Sequence, residues 1–143
     1  MSKAILVDIS LCIGCEACME ACREQNNLGE STEHRLSPNN YVVIENLQED
    51  VYYRHACMHC ENPTCVSVCP VAAFEKTELG PVIWHEEKCM GCRYCLQACP
   101  FQIPTYEWDN PVPKVRKCTM CYPRLVAGEQ PACCLLYTSD AAD

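Results

Sequence analysis

The placing of the cysteines constrains this chain more than any hydrophobic pattern does. Sixteen cysteines stand among 143 residues, about 11% of the chain, well above ordinary globular usage. They fall into four groups. The first is Cys12-x2-Cys15-x2-Cys18-x3-Cys22, and the third repeats it as Cys89-x2-Cys92-x2-Cys95-x3-Cys99, followed by Pro100. The second, Cys57-x2-Cys60-x4-Cys65-x3-Cys69-Pro70, is the same run with two residues inserted, Pro63 lying in the insertion. The fourth is a longer variant, Cys118-x2-Cys121-x11-Cys133; its expected last member falls at position 137, which is Tyr.

Cysteine density of this kind has three physical explanations: disulfides, zinc or iron–sulfur clusters. Disulfide frameworks belong to secreted chains. Here the only apolar run near the N-terminus, Ala4 to Val7, ends at Asp8. It is too short for a signal-peptide core, so we expect no export signal, with export beside a partner still open. Structural zinc uses closed sets of four ligands, commonly two Cys-x2-Cys pairs, not triplets followed by a fourth cysteine and proline. The first and third groups instead match the bacterial ferredoxin run, except that Arg23 replaces the usual proline after the first. In two-cluster ferredoxins the fourth cysteine of such a run ligates the other cluster. Three closely spaced cysteines wrap one cubane; the fourth opens a helical turn and points away.

Composition removes several function classes. The chain carries 11 basic and 19 acidic residues, a formal charge of −8. With no basic stripe, nucleic-acid binding is not expected. No apolar run approaches the ~20 residues of a membrane-spanning helix. Phe and Trp number only four together, so the greasy core is thin, and cluster binding must supply part of the folding free energy. No Gly-rich phosphate loop or nucleophile–base motif appears.

The chain also repeats itself. Ala4 to Ile9 reads as a strand leading into the first run, and Val82-Ile83-Trp84 as one leading into the third. Tyr41 to Glu45 has strand composition. Phe74 to Trp84 reads as a hairpin turning at Gly80, and Tyr106 to Val115 as a looser one. Residues 26–40 read as a polar surface loop. Strand, cysteine loop, short helix and hairpin, repeated, is the bacterial ferredoxin plan.

At this level of detail the chain resembles the four-cluster iron–sulfur subunits of molybdopterin oxidoreductases, such as the beta subunits of formate dehydrogenase and the iron–sulfur subunits of dimethyl sulfoxide, polysulfide and tetrathionate reductases. The stretches that carry the resemblance are Cys57-Met-His-Cys-Glu-Asn-Pro-Thr-Cys65, Met90-Gly-Cys-Arg-Tyr-Cys95, Cys99-Pro-Phe-Gln-Ile103, Lys117-Cys-Thr-Met-Cys121 and Pro131-Ala-Cys133. The resemblance implies an α+β, loop-rich fold of two dicluster halves, the second inserted in the first. Residues 1–50 and 101–133 would form the first half, which is incomplete, and 51–100 the second. It implies four [4Fe–4S] clusters. Cys12, Cys15 and Cys18 would hold one, lacking a fourth ligand in this chain. Cys22 would join Cys118, Cys121 and Cys133; Cys57, Cys60 and Cys65 would join Cys99; Cys69 would join Cys89, Cys92 and Cys95. The implied role is electron transfer between a molybdopterin catalytic subunit, formate dehydrogenase-like by preference, and a membrane anchor or quinone-reactive subunit. No substrate site of its own is implied. The alternative is a free polyferredoxin. The expected location is cytoplasmic, including the inner face of the membrane, or periplasmic by co-export.

Cys134 breaks the fourth motif's spacing. Residues 134–143, CLLYTSDAAD, are what TGTCTCTTATACACATCTGACGCTGCCGAC encodes, which looks like a transposon-end sequencing adapter. We therefore read this tail as an artefact and expect the natural protein to continue with x3-Cys-Pro after Cys133. Among other candidates, Arg23, Lys88, Arg93 and Lys117 lie near the groups and read as surface charge. His59 sits inside a complete cysteine set, so no ligand role is assigned to it. His55 and His85 flank groups, and His34 lies in the polar loop. Trp84, Trp108 and Tyr94 read as packing residues.

Overall fold

The computed structural model describes residues 1–135; Tyr137 and most of the tail lie outside the described residues. Helix α1 (Ala17–Gln25) follows the first cysteine loop, and a hairpin of β1 (Val42–Gln48) and β2 (Val51–Ala56) comes next. A single turn of helix, α2 (Thr64–Ser67), leads to the hairpin of β3 (Phe74–Lys76) and β4 (Val82–Trp84). Then come α3 (Tyr94–Ala98), the short hairpin of β5 (Thr105–Tyr106) and β6 (Val115–Arg116), α4 (Tyr122–Val126) and α5 (Ala132–Leu135). Each hairpin is its own two-stranded antiparallel sheet.

The expected hairpin at Gly80 forms, pairing Phe74 with Trp84 and Lys76 with Val82. Gly80 has φ 107, which glycine adopts freely. The looser hairpin forms as well, pairing Thr105 with Arg116 and Tyr106 with Val115. The strand at Tyr41 to Glu45 is real but longer than expected, and its partner β2 was not anticipated. Val51-Tyr52-Tyr53-Arg54-His55-Ala56 carries β-favouring residues but is half-buried from Val51 to His55, with Ala56 buried, so no in–out alternation marks it. The expected strand at Ala4 to Ile9 does not form. A strand needs a neighbouring backbone to take its polar groups; here Lys3 N–H, just before the segment, donates to Leu79 O at 2.7 Å, and Asp8 O accepts the Leu11 N–H in a local turn at 3.3 Å, neither of which is a ladder. Leu6 and Ile9 are exposed.

Two small cores result. One gathers Cys18, Met19 and Cys22 of α1, Tyr41 to Ile44 of the β1 edge, Ala56, Cys118 and Cys133; α1 packs on α5 across it. The other gathers Phe74, Val82, Cys95, Tyr106 and Val115, with Cys65, Cys69 and Cys89 packed against it. Cysteines are part of both interiors, where a larger protein would place leucine and phenylalanine.

Candidate iron–sulfur cluster sites

The four cysteine loops share a backbone device. In each, the residue just before the second cysteine has left-handed φ: Gly14 (71), His59 (46), Gly91 (74) and Met120 (55). That conformation reverses the loop tightly and turns successive N–H groups to one side, as in anion-binding nests. At Gly91 a Cβ would lie 2.6 Å from the Pro113 carbonyl oxygen, and at Gly14 it would lie 2.5 Å from the Tyr52 ring. Both loops therefore seat against neighbouring elements at distances only glycine allows. Helices α1, α3 and α4 each start immediately after a residue in the same left-handed region, namely Glu16, Arg93 and Cys121.

The fold brings cysteines from distant parts of the chain together. Burial pushes the Cys22 thiol up, and the next influences on it are Cys118, Cys133 and Cys121. Those four thiols form one electrostatic group, drawn from both ends of the chain. Cys65 is pushed up to about 11, chiefly by burial; Lys117 opposes this, and Cys57 and Cys99 add to it. Cys95 is raised by burial against a Tyr106 hydrogen bond, with Cys89 and Cys92 as its charged neighbours. Cys118 is pushed up to about 11 by burial; the Met120 N–H opposes this, and Cys57 adds to it. Cys18 lies in the first core and acts on Arg54. Cys12 is half-buried and Cys15 exposed. The Cys134 thiol, and after it burial and the Arg54 guanidinium, act on Cys133, with the net effect that Cys133 is held below its ordinary range.

At Cys22, Cys65, Cys95 and Cys118 the upward shift favours the protonated sulfur until a cation replaces the proton, which is how thiolate metal sites couple proton release to binding. Donors aimed at sulfur are already in place. Met120 N–H donates to Cys118 Sγ (3.2 Å) and Ala73 N–H to Cys69 Sγ (3.2 Å). Asn26 Nδ2 lies 3.6 Å from Cys22 Sγ and Arg54 Nη2 3.3 Å from Cys133 Sγ. The Tyr106 hydroxyl lies 2.8 Å from Cys95 Sγ; toward a bound thiolate only the hydroxyl can donate. Such bonds are among the factors that set cluster potentials.

Three of these side chains escaped the sequence reading; Asn26 was placed only in a polar loop. Arg54 lies in a strand far from any cysteine run, and Tyr106 in a hairpin; only tertiary contact reveals either. Two readings are corrected. Lys117 is not surface charge but 2% exposed; its ammonium donates to the Val82 and Cys118 carbonyls (2.5 and 2.9 Å) and lies 5.8 Å from the Phe74 ring centre. Lys88 and Arg93 are exposed, as expected, and Arg93 covers Trp108. Arg23 is half-buried and ties the Ser31 carbonyl to Asn40. Tyr94 and Trp108, read as packing residues, are instead more than half exposed: α3 turns Cys95 inward and leaves Tyr94 outside, and Trp108, in the turn after β5, lies against Tyr106 and under Arg93. His55 bridges Glu45 (2.7 Å) and the Phe101 carbonyl (3.0 Å), His85 meets Glu75, and His34 meets Glu16. His59 is buried; its Nδ1 accepts the Val82 N–H at 2.9 Å, and burial, then Lys117, Lys76 and Arg54, hold its pKa at about 3.

Among the described residues no three His, Cys, Asp or Glu side chains close on a single-ion site. A cubane makes no such demand, since its thiolates bind separate irons. What the chain offers is soft sulfur donors in pre-turned loops, N–H groups directed at sulfur, and a buried donor, His59 Nε2, with no partner among the described residues. That donor set fits an iron–sulfur cluster.

Comparison with known proteins agrees. A family profile described as "4Fe-4S dicluster domain" matches residues 48–141, and a second of the same description matches 11–74. A tetrathionate reductase subunit of Salmonella typhimurium strain LT2 is 40% identical over 133 residues, covering 91% of this chain and 52% of that protein. "Hydrogenase-2 operon protein HybA" of Escherichia coli O157:H7 is 38% identical over 157 residues, covering 92% and 48%. "Formate dehydrogenase, nitrate-inducible, iron-sulfur subunit" of Escherichia coli K12 is 35% identical over 147 residues, covering 91% and 49%. The chain spans about half the length of these curated relatives.

Proposed function

The chain belongs to the 4Fe-4S dicluster domain family and carries ferredoxin-type [4Fe–4S] domains; on that premise we propose that it is the relay portion of an electron-transfer subunit in an oxidoreductase complex. The observation that carries the proposal is the exchange of cysteines between groups. Cys22 lies with Cys118, Cys121 and Cys133, and Cys99 with Cys57 and Cys65. Swapped fourth ligands tie neighbouring clusters to one another at close spacing, which a chain of electron hops requires. When bound, the clusters supply one-electron chemistry; the protein positions and tunes them.

The ligand sets are those given above: Cys12, Cys15 and Cys18 for the first; Cys22, Cys118, Cys121 and Cys133 for the second; Cys57, Cys60, Cys65 and Cys99 for the third; Cys69, Cys89, Cys92 and Cys95 for the fourth. One core draws on residues 18–56 with Cys118 and Cys133 and the other on Phe74 to Val115, which supports two dicluster halves, the second nested in the first, with the 105–116 hairpin packing in the second core and Ala56 in the first, across the bounds given above. The partners are a molybdopterin-type catalytic subunit and a membrane anchor or quinone-reactive subunit. The relatives named for formate dehydrogenase and tetrathionate reductase support that class of partner, and the Cys99-Pro-Phe-Gln-Ile-Pro104 stretch favours the former. Exposed Leu6, Ile9, Leu11, Ile13, Met90 and Trp108 favour a subunit covered by partners over a free carrier. Among the described residues no helix is long and apolar enough to cross a membrane. The location proposed is the cytoplasm, including the inner face of the membrane, with the periplasm by co-export beside a partner as the alternative.

Anaerobic purification tests the reading. Iron and acid-labile sulfide should each reach roughly 12 to 16 atoms per chain, at four per cubane, and the reduced protein should show interacting paramagnetic signals. A colourless protein holding zinc and no sulfide overturns it. Co-purification with a catalytic subunit, and fractionation of the complex with the membrane, test the partners and the location.

A further inference from the structure

We propose that His59 donates a hydrogen bond from Nε2–H to a sulfur of a cluster held where the Cys57 and Cys118 groups meet, as a positioning and tuning residue and not as a ligand. The inference rests on the cluster reading above. Three observations carry it.

The first is the tautomer. Val82 N–H donates to His59 Nδ1 at 2.9 Å. A ring nitrogen that accepts carries no proton, so the neutral ring holds its proton on Nε2. Nε2 is therefore a donor. Both ends of the residue are pinned: the ring by β4, and the backbone carbonyl by Lys76 Nζ at 3.0 Å.

The second is that this donor is left over. His59 is 6% exposed, and Nε2 has no hydrogen-bond partner among the described residues. A buried donor left without an acceptor loses its hydration and gains nothing in return. The charged groups acting on the ring are Lys117, Lys76 and Arg54. All three are cations and donors, so none can accept. A buried N–H in cationic surroundings calls for an anionic acceptor. Lys117 acts on the thiols of Cys65 and Cys118 as well as on this ring, which puts cluster sulfur in the same neighbourhood.

The third is the backbone. His59 has φ 46 at the loop position where two other runs have Gly14 and Gly91. A Cβ in the left-handed region is strained. Backbone convenience favours glycine there, and the fourth run departs from it too, with Met120; at His59 the departure brings in a ring whose second nitrogen is a buried donor.

The test uses the full chain, purified anaerobically with its clusters. His59→Phe keeps a ring and removes the donor; His59→Gln keeps an N–H near the Nε2 position. With iron and sulfide unchanged, H59F should lower one cluster's potential, moving its oxidised-to-reduced ratio about tenfold at fixed solution potential, ~59 mV for one electron. H59Q should recover more than half of that shift. Independently of any variant, wild-type protein labelled with 15N-histidine should show a weak nitrogen coupling to a reduced cluster in pulsed paramagnetic resonance. An H59F protein with full iron and unchanged potentials overturns the inference, as does the absence of any nitrogen coupling in the labelled wild type. Should H59F lose a cluster, the labelled wild type decides. Absence of iron and sulfide from the wild type defeats the cluster reading instead, so the two failures are distinguishable.

Discussion

Replacing Tyr106 with Phe isolates one hydrogen bond to one sulfur. The Tyr106 hydroxyl lies 2.8 Å from Cys95 Sγ, and the two residues are 2% and 6% exposed, so no water replaces the lost donor. The ring itself stays, keeping its place in the second core and its tilted contact with Trp108 at 5.7 Å. A hydrogen bond to a charged acceptor contributes about 1.5–3 kcal/mol. Only the part that grows as the cluster gains an electron moves the potential. If that is half, the differential is about 0.8–1.5 kcal/mol. At 1.36 kcal/mol and 59 mV per tenfold, the cluster proposed on Cys69, Cys89, Cys92 and Cys95 should become harder to reduce by about 35–65 mV. The assay is a potentiometric titration followed by paramagnetic resonance, with iron content measured on the same sample. A variant that keeps its iron and shows an unchanged or raised potential refutes the reasoning, because the donor would then have no electronic consequence.

Cys95→Ser should damage that same cluster and its signal, identifying which resonance belongs to it; unchanged iron and signal would refute the ligand assignment. Lys117→Met removes a 2% exposed ammonium and its bonds to the Val82 and Cys118 carbonyls. Leaving anionic sulfur uncompensated should cost roughly 3–5 kcal/mol, read as a lower unfolding midpoint and reduced iron occupancy, whereas wild-type behaviour would mean that the charge is not needed there. Gly91→Ala places a Cβ 2.6 Å from the Pro113 carbonyl oxygen at φ 74; a loss of about 1–3 kcal/mol is expected, and a thermal midpoint within a degree of wild type would show that the loop relaxes freely.

Much of this was readable before any coordinates, because cysteine spacing is a one-dimensional record of a three-dimensional demand. The Gly80 hairpin was likewise readable, since turn chemistry is local. What stayed hidden depends on partners far along the chain. The half-buried β2 has no alternation to betray it, and Ala4 to Ile9 has strand composition but no ladder. Lys117 looks like any lysine beside a cysteine until β4 is folded over it. Arg54 is 79 residues from Cys133, and nothing in a linear pattern links them. His59 could have been suspected from sequence, since it fills the slot that glycine fills in the first and third runs.

The inward placement of basic residues changes what the charge of −8 means. Arg54 points at Cys133, Lys114 and Lys117 hold the Cys89 and Cys118 carbonyls, and Lys76 holds those of His59 and Gly80. Arg116 is taken up by Glu86 and Glu107. Arg54 acts on Cys133, and Lys117 on Cys65 and Cys118; there they would offset the negative charge of bound thiolates. They are correspondingly lost to the outer surface, where the acidic residues remain: Glu49, Asp50, Glu61, Glu78, Glu87 and Asp109 are all exposed. The exterior is therefore more acidic than the composition alone conveys. The same division of charge that makes the interior hospitable to anionic clusters gives the exterior a field that attracts basic partner surfaces. In this small chain, tuning the clusters and presenting them to a partner draw on a single supply of lysine and arginine.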